Sequence, residues 1–264
     1  MIEREKESLN KFGKNKYSQN GEDGIIEIIL SRLNLHNSDK CLCVEFGAWD
    51  GKLFSNTFNL VEKGWNAIYI EGDEQRFKEL LKTCLKFPKI TPINTYISKD
   101  KFSDNSIDNI LKKYSVPKDF DILSIDIDSF DLDVWESMEN YNPKIVIIEI
   151  NSSIPVGILS RHNSKISGNS FTSTLSVGLK KNYTLVCHTG NLIFIKNDLV
   201  KNIQLSQEFL DNPEKLFITN WLGDDLFTNS NKKFLEFIKV KCPKFFRLIF
   251  KKIKHNLIVL TKRL

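Results

Sequence analysis

Several things that would narrow the function at once are missing from this sequence. No run of about 18 apolar residues occurs, so nothing reads as a membrane-spanning helix. The opening stretch, MIEREKESLNKFGKNK, is charged and has no apolar core of the kind a secretory leader needs. A cytoplasmic protein is therefore expected, with the inner face of the membrane as a second station. Five cysteines are present, an odd number without regular spacing, which argues against a disulfide framework. Cys41 and Cys43 alternate along an apolar run and should face one side of a strand. A C-x-C metal site would need a second Cys or His pair at ligand spacing, and none follows. Buried, reduced thiols are the plainer reading. Internal repeats and low-complexity linkers are absent. So are the dinucleotide G-x-G-x-x-G and the Walker lysine-serine pair, which argues against a pyrophosphate cradle.

What is present has the proportions of a globular protein. A chain of 264 residues, 41% hydrophobic and 27% charged, can form one large domain, or a domain with an appendage, without covalent staples. The net charge of +5 conceals an asymmetry. Residues 232–264 hold eleven Lys/Arg and one acid, Glu236, which leaves 27 bases and 32 acids in residues 1–231. The sequence thus divides into an acidic body, 1–231, and a basic amphipathic helical tail, 232–264, that Pro243 should split into two helices. The tail mixes Phe, Leu and Ile with Lys and Arg. It suits an anionic membrane surface, or else packing on the domain or an oligomer contact. Nucleic acid is not expected as a partner, because the body is acidic and no nucleic-acid module is recognisable.

From residue 21 onward helical and strand patterns alternate. GIIEIILSRL has apolar residues at helical spacing, and residues 41–46 form a short apolar run of the kind buried on both faces of a sheet. A helix ending at Gly64 precedes a strand at 66–71. A charged amphipathic helix follows, broken by Pro88. ITPINTYI, the 120–127 run and KIVIIEI (144–150) read as three further strands, with DNSIDNILKKY and DLDVWESMENY as the helices between them. SFTSTLSVGLKKN reads as a helix. NYTLVC and LIFIK then form a hairpin across HTGN, which is not a strict two-residue turn by pattern. The fold class implied is α/β: a Rossmann-like, doubly wound, mostly parallel seven-stranded sheet with a C-terminal antiparallel hairpin, plus the basic tail.

In such sheets ligands bind beyond the carboxyl ends of the strands. The first strand ends VEFGAWDGK, where Gly47 and Gly51 flank a tight turn, and Glu45 could accept a hydrogen bond from a ligand amine. A plain strand–turn–helix corner explains the same loop. The second strand ends in Glu71, followed by Gly72. Its two carboxylate oxygens suit the hydroxyls of a ribose, though a solvated acid is the bland alternative. An acid about 20 residues after a Gly loop favours an adenosine-type ligand. The fourth strand ends SIDIDSFD, crowding Asp126, Asp128 and Asp131, and the fifth ends with Glu149 and Asn151. Oxygen donors at neighbouring strand ends suit Mg²⁺ or Mn²⁺, with Asp126, Asp128 and Asn151 as the ligand set. Binding a cofactor amine, holding substrate or capping the helix near Phe130 would use the same acids.

The ordered set VEFGAWDG, IYIEGD, LSIDIDSFD and VIIEIN resembles class I S-adenosylmethionine methyltransferases, most closely the FkbM-like group. YSQNGEDGII (17–26), SGNSFTSTLSVGLKKNYTLV and GNLIFI are similar to that group's opening and closing segments, so the resemblance spans residues 17–196. It implies that Glu45, Gly47, Ala48 and Gly51 frame the methionine part of S-adenosylmethionine and that Glu71 and Gly72 meet the ribose. It also implies that Gln19 and Asp23 close over the cofactor and that Asp126 lies near the reacting centre. Ala48-Trp49-Asp50 replaces the fuller glycine pattern in the first loop, and Ser129 stands where relatives often have Gly. The implied reaction is methyl transfer to a hydroxyl of a sugar or sugar-linked group in cell-surface glycan biosynthesis.

A hydroxyl acceptor benefits from a general base or a metal. His188 and His162 are the base candidates beside Asp126 and Asp128, although a lone loop histidine is more often just solvated. Arg76, Arg161 and Lys165 could attract an anionic substrate or could simply be surface charges. Two other readings stay open: an NAD-dependent oxidoreductase or epimerase, and a non-catalytic nucleotide-binding module.

Overall fold

The computed structural model describes residues 8–35 and 39–218. The expected basic tail, 232–264, lies outside the described residues.

Seven strands form one sheet: β1 (Leu42–Phe46), β2 (Asn66–Glu71), β3 (Ile90–Asn94), β4 (Ile122–Ile125), β5 (Ile145–Glu149), β6 (Tyr183–His188) and β7 (Asn191–Lys196). Their spatial order is β3-β2-β1-β4-β5-β7-β6. β1 to β5 are mutually parallel, and β7 lies antiparallel between β5 and β6. The Rossmann-like α/β class expected from the helix–strand alternation is therefore met, including the closing hairpin. The last pair of the hairpin is His188 with Leu192, so Thr189-Gly190-Asn191 turns the chain and the connection is not a two-residue turn. The Thr189 hydroxyl donates to Glu22.

Seven α-helices accompany the sheet among the described residues: α1 (Glu22–Arg32), α2 (Phe58–Glu62), α3 (Glu74–Cys84), α4 (Ile107–Lys113), α5 (Asp131–Ser137), α6 (Phe171–Lys180) and α7 (Gln207–Asp211). The central strands are buried on both faces, which is why they read as continuous apolar runs. One face packs Val44, Phe46, Leu123 and Ile148 against Ile107 and Leu111 of α4, Trp135 of α5 and Val177 of α6. The other packs Cys43, Tyr69 and Ile147 against Ile26 and Ile29 of α1, Phe58 of α2 and Leu80 of α3. Cys41 and Cys43 both belong to this second core and are free thiols. α3 starts where Asp73 accepts the Gln75 and Arg76 N–H groups, and α6 where Ser170 accepts that of Ser173.

Because every helix returns the chain to the opposite edge, the carboxyl ends of β1, β2, β4 and β5 all open on one edge of the sheet. The antiparallel β7 reverses direction once more, so the end of β6 at His188 reaches that edge too. No helix among the described residues is long and apolar enough to cross a membrane.

Candidate active site at the carboxyl edge of the sheet

The loop after β1 is bound to β2 rather than open to a ligand. The N–H groups of Gly47 and Ala48 donate to the Ile70 carbonyl, at 3.0 and 3.2 Å. The Trp49 N–H donates to Glu71 Oε2 at 2.8 Å. Further along, Gly51 donates to the Ala48 carbonyl, while Lys52 and Leu53 donate to Asp50 Oδ1. Donors used in this way cannot cradle a pyrophosphate, whose binding at such a loop depends on backbone N–H groups pointing at the ligand.

Gly47 has a second constraint. Its φ is +76°, and a Cβ there would lie 1.8 Å from the Asp126 carbonyl oxygen. The loops after β1 and β4 therefore meet backbone to backbone, and only glycine permits it. Gly51, with φ +80°, is pressed against Leu80 and Tyr69, which seats the loop on α3.

Glu71 is buried, and both of its oxygens accept backbone N–H groups: Oε2 from Trp49 and Oε1 from Asp73, each at 2.8 Å. One carboxylate thus holds the loops after β1 and β2 together. Each oxygen keeps a lone pair, so this geometry remains compatible with further hydroxyl donors. Gly72 is covered by the Tyr96 ring, which reaches 2.4 Å from the position a Cβ would take. Nothing in the sequence pointed to Tyr96.

Glu45 is not turned toward the site. It is buried in the second core, where Oε2 accepts the Ser55 hydroxyl at 2.9 Å together with the hydroxyl and N–H of Thr57. It therefore secures the start of α2. Burial pushes its carboxyl up to about 7, against the opposing effect of those hydrogen bonds. Ala48 is likewise buried in that core.

At β4 and β5, Asp126, Asp128 and Glu149 each bring one carboxylate oxygen within 4.8 Å of the others. Asp128 sits in the left-handed region, φ +60°, an uncommon conformation for a non-glycine residue. Asp131 holds it there, because its carboxylate accepts the N–H groups on either side of Asp128: Ile127 at 2.7 Å and Ser129 at 2.9 Å. Burial, reinforced by the charge of Glu149, pushes Asp131 up to about 7. Asn151 does not join this group. Its Oδ1 accepts the N–H and hydroxyl of Ser153, and its Nδ2 donates to the Ser167 carbonyl. The third carboxylate of the group is Glu149, the last residue of β5, two positions before Asn151.

The histidines differ in kind. His188 is fully buried, so it is not the accessible mouth residue that its hairpin position implied. Its Nδ1 accepts the Ile218 N–H at 3.0 Å, which leaves the proton on Nε2 for Ser152 Oγ at 3.0 Å. Burial lowers it to about 4. His162 lies against Phe130, two residues after Asp128. Its ring meets Phe130 edge-on at 4.7 Å, and Lys99 Nζ lies 4.0 Å over the Phe130 ring. The Gly168 N–H donates to His162 Nδ1, so the neutral ring carries its proton on Nε2.

The N-terminal segment also reaches this edge. Asp23 Oδ2 accepts the N–H groups of Lys16, Tyr17 and Ser18 and the Ser18 hydroxyl, while its buried Oδ1 has no hydrogen-bond partner in the protein. Gln19 is exposed, with its carbonyl accepting Asn15 Nδ2. Glu22, which the sequence did not single out, is fully buried and ties α1 to Thr189 and Asn191 of the hairpin. Of the cations proposed to attract substrate, Arg161 is paired with Asp133 and Glu136, Arg76 stacks 4.4 Å over the Trp49 ring, and Lys165 is exposed.

Two clefts among the described residues lie elsewhere. One of about 240 Å³, lined by Lys40, Asp121 and Lys144, is at the opposite edge of the sheet. One of about 380 Å³ lies beside α6, between Arg161 and Lys180. Neither contains the carboxylate group. The chemistry favours the strand ends, where buried and strained polar groups converge, over either cleft.

No protein-family model and no curated protein sequence matches the chain. Solved structures with a similar course include a SAM dependent methyltransferase from Aquifex aeolicus (11% identity, 63% of this chain and 86% of that one, TM-score 0.36). Another is a precorrin-6y C5,15-methyltransferase from Geobacter metallireducens (10% identity, 71% and 96%, TM-score 0.42). A third is TrmK of M. capricolum in complex with S-adenosyl-homocysteine (16% identity, 86% and 97%, TM-score 0.40). This chain is similar to each in overall course only, and its fold class rests on its own strand order and pairing.

Proposed function

We propose that the chain is an S-adenosylmethionine-dependent methyltransferase acting on a hydroxyl of a sugar or sugar-linked group in cell-surface glycan biosynthesis. The observation that carries the cofactor half is the spent loop. A Gly47–Gly51 turn in which the Gly47, Ala48, Trp49 and Gly51 N–H groups are bonded to β2 and to the turn itself, backed by the Glu71 carboxylate, suits a nucleoside without a pyrophosphate. An NAD-dependent oxidoreductase needs the opposite arrangement, with free N–H groups facing two phosphates.

When bound, the cofactor supplies a methyl group from a sulfonium. Glu71 accepts the ribose hydroxyls on the lone pairs left beside Trp49 and Asp73. The loop after β1 supports the methionine part through its backbone, since Glu45 and Ala48 face the core. Asp23 offers its partnerless Oδ1 from above. Asp126, Asp128 and Glu149 hold Mg²⁺ or Mn²⁺, and three oxygen donors suit a hard cation. A cation held there would supply Lewis acidity to an acceptor hydroxyl. His162 serves as a donor from Nε2 to the acceptor rather than as a base. His188, buried and bonded at both nitrogens, is structural. Positioning supplies much of the rate in such a transfer.

The test is transfer of a labelled methyl group from S-adenosylmethionine to a cell-envelope glycan extract, with and without a chelator. Chelator-sensitive label in the glycan fraction supports the reading. Binding of the cofactor without transfer to any envelope fraction would move the account to the non-catalytic module.

A further inference from the structure

Three polar side chains stand in a row across neighbouring strands at the carboxyl edge. Ile125 of β4 pairs with Ile148 of β5, which brings Asp126 beside Glu149, and Glu149 pairs with Asn191 of β7. All three alternate onto the face that carries α1. Their strand neighbours Ile147 and Ile193 belong to that core, whereas Ile125, Ile127, Ile148 and Leu192 pack in the other. The Ile150 N–H donates to the Gly190 carbonyl, while the Asn191 N–H and carbonyl turn to Thr189. Glu149 and Asn191 are thus a non-hydrogen-bonded antiparallel pair, the kind in which facing side chains approach most closely.

Asn191 is 7% exposed, and its amide is oriented from one side. Nδ2 donates to Glu22 Oε1 at 3.0 Å, and the Thr189 hydroxyl donates to the same oxygen. The Glu22 carboxylate therefore sits over the hairpin turn, on the side of Asn191 away from β5. A carboxylate only accepts, so it fixes the amide nitrogen on that side and turns the amide oxygen toward β5. That oxygen, Oδ1, is buried and has no hydrogen-bond partner among the described residues. Its neighbour in the row is Glu149, whose carboxylate gathers with those of Asp126 and Asp128 within 4.8 Å. A buried acceptor without a donor, set beside a group of acids, marks a place where a ligand completes the bonding.

We propose that Asn191 Oδ1 is a fourth oxygen ligand of a divalent cation held by Asp126, Asp128 and Glu149, and that Glu22 is the residue that orients it. The inference rests on the reading of the three carboxylates as a cation site. It adds a ligand from β7 and a positioning residue from α1. An amide oxygen suits a hard cation and brings a donor atom without another negative charge. A cation answers both the mutual repulsion of nearby carboxylates and the need of Oδ1, whereas a water answers only the second. Glu22 then acts as outer-shell groups do at metal sites, by holding a ligand in the right orientation. Asn151 has no such freedom, because its amide is engaged by Ser153 and Ser167.

The experiment is titration of the full chain with Mn²⁺ in the absence of cofactor, read as loss of the free-ion signal in electron paramagnetic resonance. Wild type should bind one Mn²⁺ per chain, and Mg²⁺ should displace it. Asp128→Asn and Asn191→Leu should each bind at least about tenfold more weakly. Asn191→Ser, whose hydroxyl can still donate to Glu22, should lose as much. It is measured alongside so that at least one variant melting like wild type without metal enters the comparison. Glu22→Gln, which lets the Asn191 amide turn over, should also weaken binding, by a smaller factor. Wild-type affinity in both Asn191 variants, with Asp128→Asn weakened, would overturn the Asn191 assignment and leave the carboxylate site standing. Wild-type affinity in Glu22→Gln would strike its positioning role. No saturable Mn²⁺ binding by the wild-type chain would overturn the cation reading and this proposal together. None of these outcomes bears on S-adenosylhomocysteine binding, so the cofactor reading stands or falls separately.

Discussion

Glu71 Oε2 accepts the Trp49 N–H at 2.8 Å, and through this bond a buried carboxylate on β2 fixes the loop that follows β1. Removing it does two things. Glu71→Ala leaves the Trp49 and Asp73 N–H groups unpaired, at a cost of about 1–3 kcal/mol for each that stays buried. It also deletes the ribose acceptors, so the affinity for S-adenosylhomocysteine should fall at least about tenfold. Glu71→Gln keeps one acceptor oxygen and should bind more tightly than the Ala variant. Calorimetric titration checks both. Equal affinity in wild type and Glu71→Ala would remove Glu71 from the site.

Gly47 makes a sharper case, because the clash is with backbone. A Cβ would stand 1.8 Å from the Asp126 carbonyl oxygen, and φ is +76°. Gly47→Ala should lower stability by about 2–4 kcal/mol and separate the loops after β1 and β4. The expected result in denaturant titration is a lower midpoint with loss of ligand binding at temperatures where the variant is still folded.

Two buried titratable groups, Glu45 and His188, shift in opposite senses, and their difference curves should show it. Glu45 is raised from 4.5 to about 7, so the folded state keeps its proton to higher pH than the unfolded chain does. Its ionisation therefore costs nothing below pH 4.5 and its full amount above pH 7. Glu45→Gln, measured against wild type, should become steadily more favourable across that window, by up to about 3 kcal/mol. Tyr69 and Cys43 face Glu45, and burial raises both of them, so neither ionises in this range. His188 is lowered from 6.5 to about 4, so its contribution is complete above pH 6.5 and is lost as pH falls toward 4. His188→Gln should approach wild-type stability as the pH drops. Parallel pH–stability curves for wild type and the two variants would contradict both assignments.

The acidic group predicts a metal dependence. Mg²⁺ or Mn²⁺ should raise the melting temperature, and Asp128→Asn or Glu149→Gln should abolish most of that shift, whereas Asn151→Ala should leave it nearly intact. The last variant separates the proposed set, which contains Glu149, from the one the sequence implied, which contains Asn151.

Much of the fold was legible because it rests on local, repeated signals. Continuous apolar runs such as IVIIE gave the central strands, and Gly64 ended a helix with φ +92°. The anchorage of the hairpin was not legible, since Glu22, about 170 residues away in sequence, accepts from Thr189. The gathering of polar groups at the strand ends was legible, and the partners of their side chains less so. Glu45 and Glu71 are both acids at strand ends, yet one secures α2 in the core and the other clasps the ligand loop, and only the packing of Thr57 and Trp49 tells them apart. Glu149 ends β5 whereas Asn151 lies beyond it, where its Oδ1 accepts from Ser153. His188 read as a loop residue because its burial comes from Phe171 and Phe217, which lie far from it in the chain.

Isothermal titration of the full chain with S-adenosylhomocysteine, and in parallel with NAD⁺, tests the central claim most directly. The account predicts one-to-one binding of S-adenosylhomocysteine and no heat from NAD⁺, because the N–H groups of Gly47, Ala48, Trp49 and Gly51 are already bonded within the protein. Binding of NAD⁺ with no response to S-adenosylhomocysteine would contradict it.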